Sequence, residues 1–248
     1  MQFEADPRFH VEIGSTEGET ILAINNGRAP FDDVRVRRAL AHAIDRQAII
    51  DGSEYGYGTP IGSHFAPHHP AHVDLTGRYP HDVEKAKELL AEAGQSDLSL
   101  TIKLPPPPYA RRGGEIIQAQ LAEAGITVEL VPVEWAQWLE QVFKGKDYDL
   151  TIVSHTEPMD IGIYARDDYY FDYHNPAFAE LMTKLAEATD PADQNAILGE
   201  AQTLLAEDSV NVFLFQLAKR GVWDARLSGL WANSPVQAND LTGVSWAN

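Results

Sequence analysis

The sequence predicts an α/β fold, a sheet with helices packed on its faces, and three observations lead there. Residues 98–104, 126–133 and 149–154 are short apolar runs of strand length. The segments between them, about 111–124 and 135–144, carry apolar residues at helical spacing and end at Gly125 and Gly145. Strand, helix, strand, helix, strand is the order of a parallel sheet, whose ligands sit outside the carboxyl ends of the strands. At 248 residues, with 44% hydrophobic and 23% charged, the chain has ample surface for a core.

Taken in order, residues 9–14 and 20–25 read as two strands joined by a polar turn containing Gly18. The stretch 30–46 is the most tightly patterned. Asp32 is its expected N-cap, with Phe31 and Val36 as a hydrophobic staple, and Val36, Leu40, Ala43 and Ile44 form one apolar stripe. Arg35, Arg37 and Arg38 fall largely off that stripe, and Asp45 is expected to cap a second short helix that Gly52 ends. Residues 55–78 are irregular and rich in Gly, Pro and His, a length of loop that is usually functional or wraps the surface. Asp82 caps a helix over 82–93, with Gly94 as its stop. The alternating strand 98–104 is ended by Pro105 to Pro108, four residues without a donor for a sheet. Beyond the third strand, Asn175 with Pro176 opens a helix to about 188, and Asp190 with Pro191 opens another to about 206. Residues 210–217 are a strongly apolar strand, 220–223 continue it after a bend, and the tail from Gly229 is irregular.

Composition excludes several functions. A net charge of −18 argues against nucleic acid or an anionic membrane as partner. No apolar run is long enough to span a bilayer. With no cysteine there is no disulfide framework, thiolate metal site or cysteine nucleophile. There is no G-x-S-x-G, H-E-x-x-H, P-loop or G-x-G-x-x-G, and the chain is expected to be no enzyme and to need no cofactor. A carboxylate-dependent hydrolase stays open as an alternative, because its pair of acids is spaced in space and not in sequence.

Four stretches in order carry a family resemblance. Pro30-Phe31-Asp32-Asp33-Val34-Arg35-Val36-Arg37-Arg38-Ala39-Leu40-Ala41-His42-Ala43-Ile44-Asp45-Arg46, after Ile24-Asn25-Asn26, resembles the segment that opens the C-terminal lobe of dipeptide- and oligopeptide-type solute-binding proteins (family 5) of ABC importers. Residues 79–94 are similar to the family's Y-P-x-D-x-x-K-A-K-x-L-L-x-E-A-G run, and Val133-Glu134-Trp135-Ala136-Gln137-Trp138-Leu139 and Tyr148-Asp149-Leu150 follow in the family's order. The resemblance implies the C-terminal lobe of a two-lobed periplasmic-binding-protein-like fold (type II, cluster C) with a mixed sheet and flanking helices. It implies residues 1–20 as the crossover from a missing N-terminal lobe, 21–228 as the lobe itself and 229–248 as a tail returning to the other lobe. The implied function is capture of a peptide-like or other small polar solute by cleft closure, with an ABC permease as partner, in the periplasm or at the cell surface. Residues 1–20 have no apolar core of a secretory signal, so the chain is expected to be a C-terminal fragment. A ligand-sensing module of a regulator with the same fold is the other alternative.

The candidate site residues gather at the strands' carboxyl ends. The resemblance implies that Glu157, in the loop after the third strand, receives a peptide's α-amino group, whereas Asp160 is expected to cap the segment beyond Met159. His155 and the aromatics Tyr169 and Tyr170 are expected beside it, able to stack and to hydrogen-bond. Trp135, at the start of its helix, is expected as an apolar wall, with core packing the expectation for one of Trp135 and Trp138. Arg111 and Arg112 could contact an anion or solvate a helix end. Dipeptide binders place a carboxylate-holding arginine at the position of Leu104, so a free dipeptide is not the expected ligand. His64, His68, His69 and His72 invite a metal reading, but Pro67 and Pro70 break any helix that would align them, so no metal is expected there.

Overall fold

The computed structural model describes residues 2–157 and 159–247. Its first strand is its longest: Phe9–Ile24 (β1) runs unbroken where the sequence suggested two strands and a turn. Thr16, Glu17 and Gly18 are absorbed as a bulge, since pairing with the last long strand shifts register between Ser15 and Glu19. The strand also runs straight through residues 20 and 21, where the crossover was expected to give way to the lobe. A bulge rescues the pairing that a turn would have ended.

Two helices follow, Val34–Ala43 (α1) and Arg46–Glu54 (α2). The cap of α1 is Asp33, not Asp32: its carboxylate accepts from the Arg35 N–H at 2.8 Å. Asp45 caps α2 as expected, but Gly52 lies within the helix, and the stop is Tyr55 in the left-handed region followed by Gly56. Arg37 is buried, not on the solvent side, donating to the carbonyls of Phe31 at 2.7 Å and Asp208 at 2.6 Å. Arg38 takes the Glu207 carbonyl at 2.7 Å, so the two guanidiniums satisfy the orphan carbonyls at the end of a later helix.

The short strand Gly58–Pro60 (β2) leads through the irregular loop to Val83–Glu92 (α3), capped by Asp82. Then come Ser99–Leu104 (β3), Pro108–Glu123 (α4), Thr127–Pro132 (β4), Trp135–Trp138 (α5) continued by a π-helical turn Leu139–Lys144, and Leu150–His155 (β5). Helix α4 starts about a turn earlier than the sequence suggested, because Pro108 at its first position needs no donor there. A 3-10 turn, Ile161–Ala165, precedes Pro176–Glu187 (α6) and Pro191–Glu207 (α7). The chain closes with Asn211–Asp224 (β6), continuous where a bend was expected, and a small ribbon of Leu227–Ser228 (β7) and Ser245–Trp246 (β8).

The sheet has the order β2-β6-β1-β5-β3-β4. Strands β3, β4 and β5 are parallel, and β1 is antiparallel to both β5 and β6, so the sheet is mixed. Alternation along β1 sorts the core into two halves. Leu22 and Ile24 point to one face under α1–α4, while Ile21 and Ala23 point to the other under α6, α7 and the aromatic segment 164–173. In β6 the register slips by one at Leu214, so Leu214 and Phe215 both enter the first core and Gln216 turns to the second face. Among the described residues no helix is long and apolar enough to cross a membrane.

The His-rich loop is seated on the second face. Ile61, Phe65 and Ala71 are buried there, and the buried Gln202 of α7 pins it, accepting from Ser63 Oγ at 2.8 Å and donating to the Ala71 carbonyl at 2.6 Å. The tail returns along the outer half of β1: Ser234 N–H donates to the Ser15 carbonyl and Glu17 N–H to the Pro235 carbonyl. Gly14 is required there, because the Ala232 carbonyl occupies the space a Cβ would take.

Candidate functional site

Register builds the site. Glu19 of β1 lies opposite His155 at the carboxyl end of β5, and directly opposed residues share a face, here the second. Glu19 is buried with the side chain of His64 against it, Nδ1 to Oε2 at 2.7 Å. The other ring nitrogen of His64 lies 3.1 Å from Asp160 Oδ1. One buried imidazole thus stands between two carboxylates from two distant stretches of chain. Burial alone would lower the pKa of His64, but the Glu19 and Asp160 carboxylates outweigh it and push it up to about 9. Glu19 is itself raised by burial, with the imidazolium pulling the other way. At neutral pH that raised pKa keeps a proton on His64.

Asp160 takes the cap position of the turn Ile161–Ala165 as expected, yet its side chain makes no cap hydrogen bond and turns to His64 instead. His155 is partly buried, with Nε2 2.9 Å from the Tyr170 hydroxyl and the two rings stacked at 6.0 Å. Burial, against the raising pull of Asp160, lowers its pKa to about 4, so the ring is neutral. Glu157 is exposed, one oxygen accepting from Thr156 N–H at 3.0 Å. Donor atoms of His155, Glu157 and Asp160 all lie within 4.8 Å of one another.

Aromatic rings continue from this cluster along the rim. His155 stacks on Tyr170, Tyr170 meets Trp138 edge-on at 5.6 Å, and Trp138 meets Trp135 edge-on at 5.7 Å. Trp138 is the core member, its Nε1–H donating to Thr151 Oγ1 at 2.9 Å, while Trp135 is 42% exposed. Tyr170 is fully buried and Tyr169 nearly so, which corrects the picture of both as open stacking groups. Their rings fill the core under the site, and Tyr170 reaches it only through its hydroxyl. Arg111, at the first turn of α4, pairs with Glu134 at 3.1 Å. Leu104 is buried beneath, packed toward Gly114.

The four histidines of the loop do not converge. His64 faces Glu19, His68 pairs with Glu17 at 2.5 Å, His69 stacks on Phe65 at 4.0 Å, and His72 Nδ1 meets the Phe65 carbonyl at 2.9 Å. Two members of the site were not anticipated. Glu19 looked like part of a polar turn, and only its pairing with His155 discloses its place. Tyr109, just after β3, takes the Ser154 N–H on its hydroxyl at 3.2 Å and is held up to about 12 by burial. A tyrosine one residue into a helix that follows a parallel strand was the available signal.

Residues 1–177 match the model of bacterial extracellular solute-binding proteins, family 5 Middle. The dipeptide-binding protein of Escherichia coli is 36% identical over 131 residues, 50% of this chain and 24% of that protein. Di/tripeptide-binding protein 1 of Pseudomonas aeruginosa is 26% identical over 250 residues, 92% of this chain and 46% of that protein. Among solved structures, the periplasmic binding protein DppA of Helicobacter pylori in complex with the peptide STSA superposes with a TM-score of 0.88 at 22% identity, covering all of this chain and 50% of that one. The binding protein AgaA of A. tumefacien R10 with agropinic acid gives 0.80 at 24% identity, over 92% of this chain and 49% of that one. The chain therefore spans about half the length, or less, of the proteins it matches, and its fold is that of the matching half of these periplasmic binding proteins.

Proposed function

Because the chain belongs to the bacterial extracellular solute-binding proteins of family 5, we propose that it forms one wall of a solute-binding cleft serving an ABC importer, with the membrane permease as partner. The observation that carries this reading is the rim of β5. Glu157 and Asp160 converge there on a neutral His155, beside the exposed indole of Trp135. Two carboxylates with a neutral imidazole attract a cationic group, and the indole offers an apolar surface next to it. The solute is a small polar molecule with an amino or other cationic group, peptide-like in class.

Closure would work through the outer half of β1. There residues 9–15 pair with 218–224 of β6 and, among the described residues, with no other strand, so a two-stranded ribbon projects past the sheet with residues 229–247 as the tail beside it. A ribbon of two strands bends more easily than a six-stranded sheet. A solute that touches both walls stabilises only the closed arrangement, which is how binding becomes a signal to a transporter.

The test is an NMR titration of the 248-residue chain in EDTA, with tripeptides bearing a free amino terminus and their N-acetylated forms at millimolar concentration. Free-amine peptides should shift the amides of 154–157, 159, 160 and 135, acetylated ones should not, and Glu157→Gln should abolish the effect. Equal shifts from both peptide forms, or none from either, would overturn the assignment of an amine to this rim.

A further inference from the structure

We propose that His155, Glu157 and Asp160 form a binding site for one divalent first-row transition-metal ion. The donors come from three positions of one loop at the carboxyl end of β5, and they already lie within 4.8 Å of one another. One imidazole and two carboxylates suit a borderline ion such as Zn2+, whereas Mg2+ and Ca2+ prefer all-oxygen cages.

What separates this cluster from a chance meeting of acids is its support. Metal-binding histidines hold their second ring nitrogen on a neighbouring group, and ligating carboxylates are themselves held from behind. Here Tyr170, fully buried, engages His155 Nε2 at 2.9 Å and leaves the ring one nitrogen to give. Behind Asp160 stands His64, buried and 3.1 Å away, itself backed by Glu19 at 2.7 Å. Glu157 is steadied by the Thr156 N–H and keeps its other oxygen. His155 and Glu157 thus each make a hydrogen bond outside the triad, and Asp160 lies against the charge of His64.

Charge agrees. Glu157 and Asp160 are both acidic, opposite in sign to the ion. Three protein donors leave coordination positions open, which a solute carboxylate or amine can fill.

The experiment is calorimetric titration of the metal-stripped 248-residue chain with ZnCl2 in a non-coordinating buffer, without solute. One ion per chain is expected. Glu157→Gln, an exposed position that should not disturb folding, should weaken binding at least tenfold, and Tyr170→Phe, which removes only the supporting hydroxyl, by about tenfold. Long-range 15N NMR should show the ion on a His155 nitrogen. The His68→Asn/His72→Asn double variant should bind as the parent does. No saturable binding at millimolar Zn2+, or binding that survives Glu157→Gln and is lost in the double histidine variant, overturns the proposal. Since the peptide titration is run in EDTA and this one without peptide, either can fail without the other.

Discussion

At the scale of single residues, two histidines that face each other's neighbourhood are pushed in opposite directions, and stability should record both. His64 has a folded pKa of about 9, above the unfolded value near 6.5, so its contribution is complete below about pH 6.5 and is lost as pH rises toward 9. His155 has a folded pKa of about 4, below the same unfolded value. The unfolded chain then binds more protons between about pH 4 and 6.5, and stability rises with pH across that window. The melting temperature should peak near about pH 6.5. His64→Gln should flatten the alkaline limb and His155→Gln part of the acid limb; a parent curve that is level from about pH 6.5 to 9 would contradict the raised pKa of His64. Sequence foresaw the company of His155 but not that of His64. Nothing local in a Pro-broken loop announces that one of four histidines is buried against a carboxylate forty-five positions earlier in the chain.

At the scale of elements, the helix ends carry the clearest consequences. Gly94 and Gly125 follow α3 and α4 with φ of +72° and +86°, and nothing lies within 4 Å of where a Cβ would sit at either. Ala at each position therefore meets no clash and costs only the left-handed backbone, about 1 kcal/mol apiece. Asp82→Ala, which removes the cap bond to Lys85 N–H, should cost a similar ~1 kcal/mol. Urea unfolding of the three variants checks this, and near-zero changes would mean that these glycines and this cap do not hold the helix ends. Elements of this kind were legible in advance because their signals are local: a capping side chain, a periodic stripe, a glycine stop. Four of them, the helices at 83–92, 135–144, 176–187 and 191–207, differ from the bounds the sequence predicts by a residue or so at each end. The failures were places where a distant partner decides. Thr16-Glu17-Gly18 looks like a turn on its own and becomes a bulge only because β6 continues past it. The cap of α1 is a different case, a local one: Asp32 and Asp33 look equally good, and Asp33 holds both the Arg35 N–H and its guanidinium. The sequence could say that one of two tryptophans is in the core, but it took the Thr151 hydroxyl to name Trp138.

For the molecule as a whole, the net charge of −18 sets the terms on which it is stable. Many of its ion pairs are exposed and contribute little, so the excess carboxylates repel one another across the surface. Added NaCl should raise the melting temperature from low ionic strength up to roughly 0.5 M, where the screening length falls to a few ångströms. Calorimetry at several salt concentrations reads this directly, and a fall over that range would mean that attractive surface pairs dominate after all. The site shares the excess. Its rim holds two carboxylates beside a neutral imidazole, so a cationic solute or a metal ion bound there relieves repulsion as well as making contacts.

The order of strands in the sheet bears on how such a chain comes into being. Strand β1 precedes every other strand of the sheet in the chain, yet it lies in the middle of the sheet and its partner β6 ends at Asp224, about 200 residues later. At a ribosome's pace of about 5–20 residues per second, that is a wait of roughly 10–40 s. Until β5 follows, Thr20–Ile24 has both hydrogen-bonding edges bare, and until β6 follows it keeps one bare, with apolar side chains on both faces. Before its last strand exists the newborn chain is open to pairing with a second copy of itself along that edge, so the order of synthesis bears on yield as the finished contacts do.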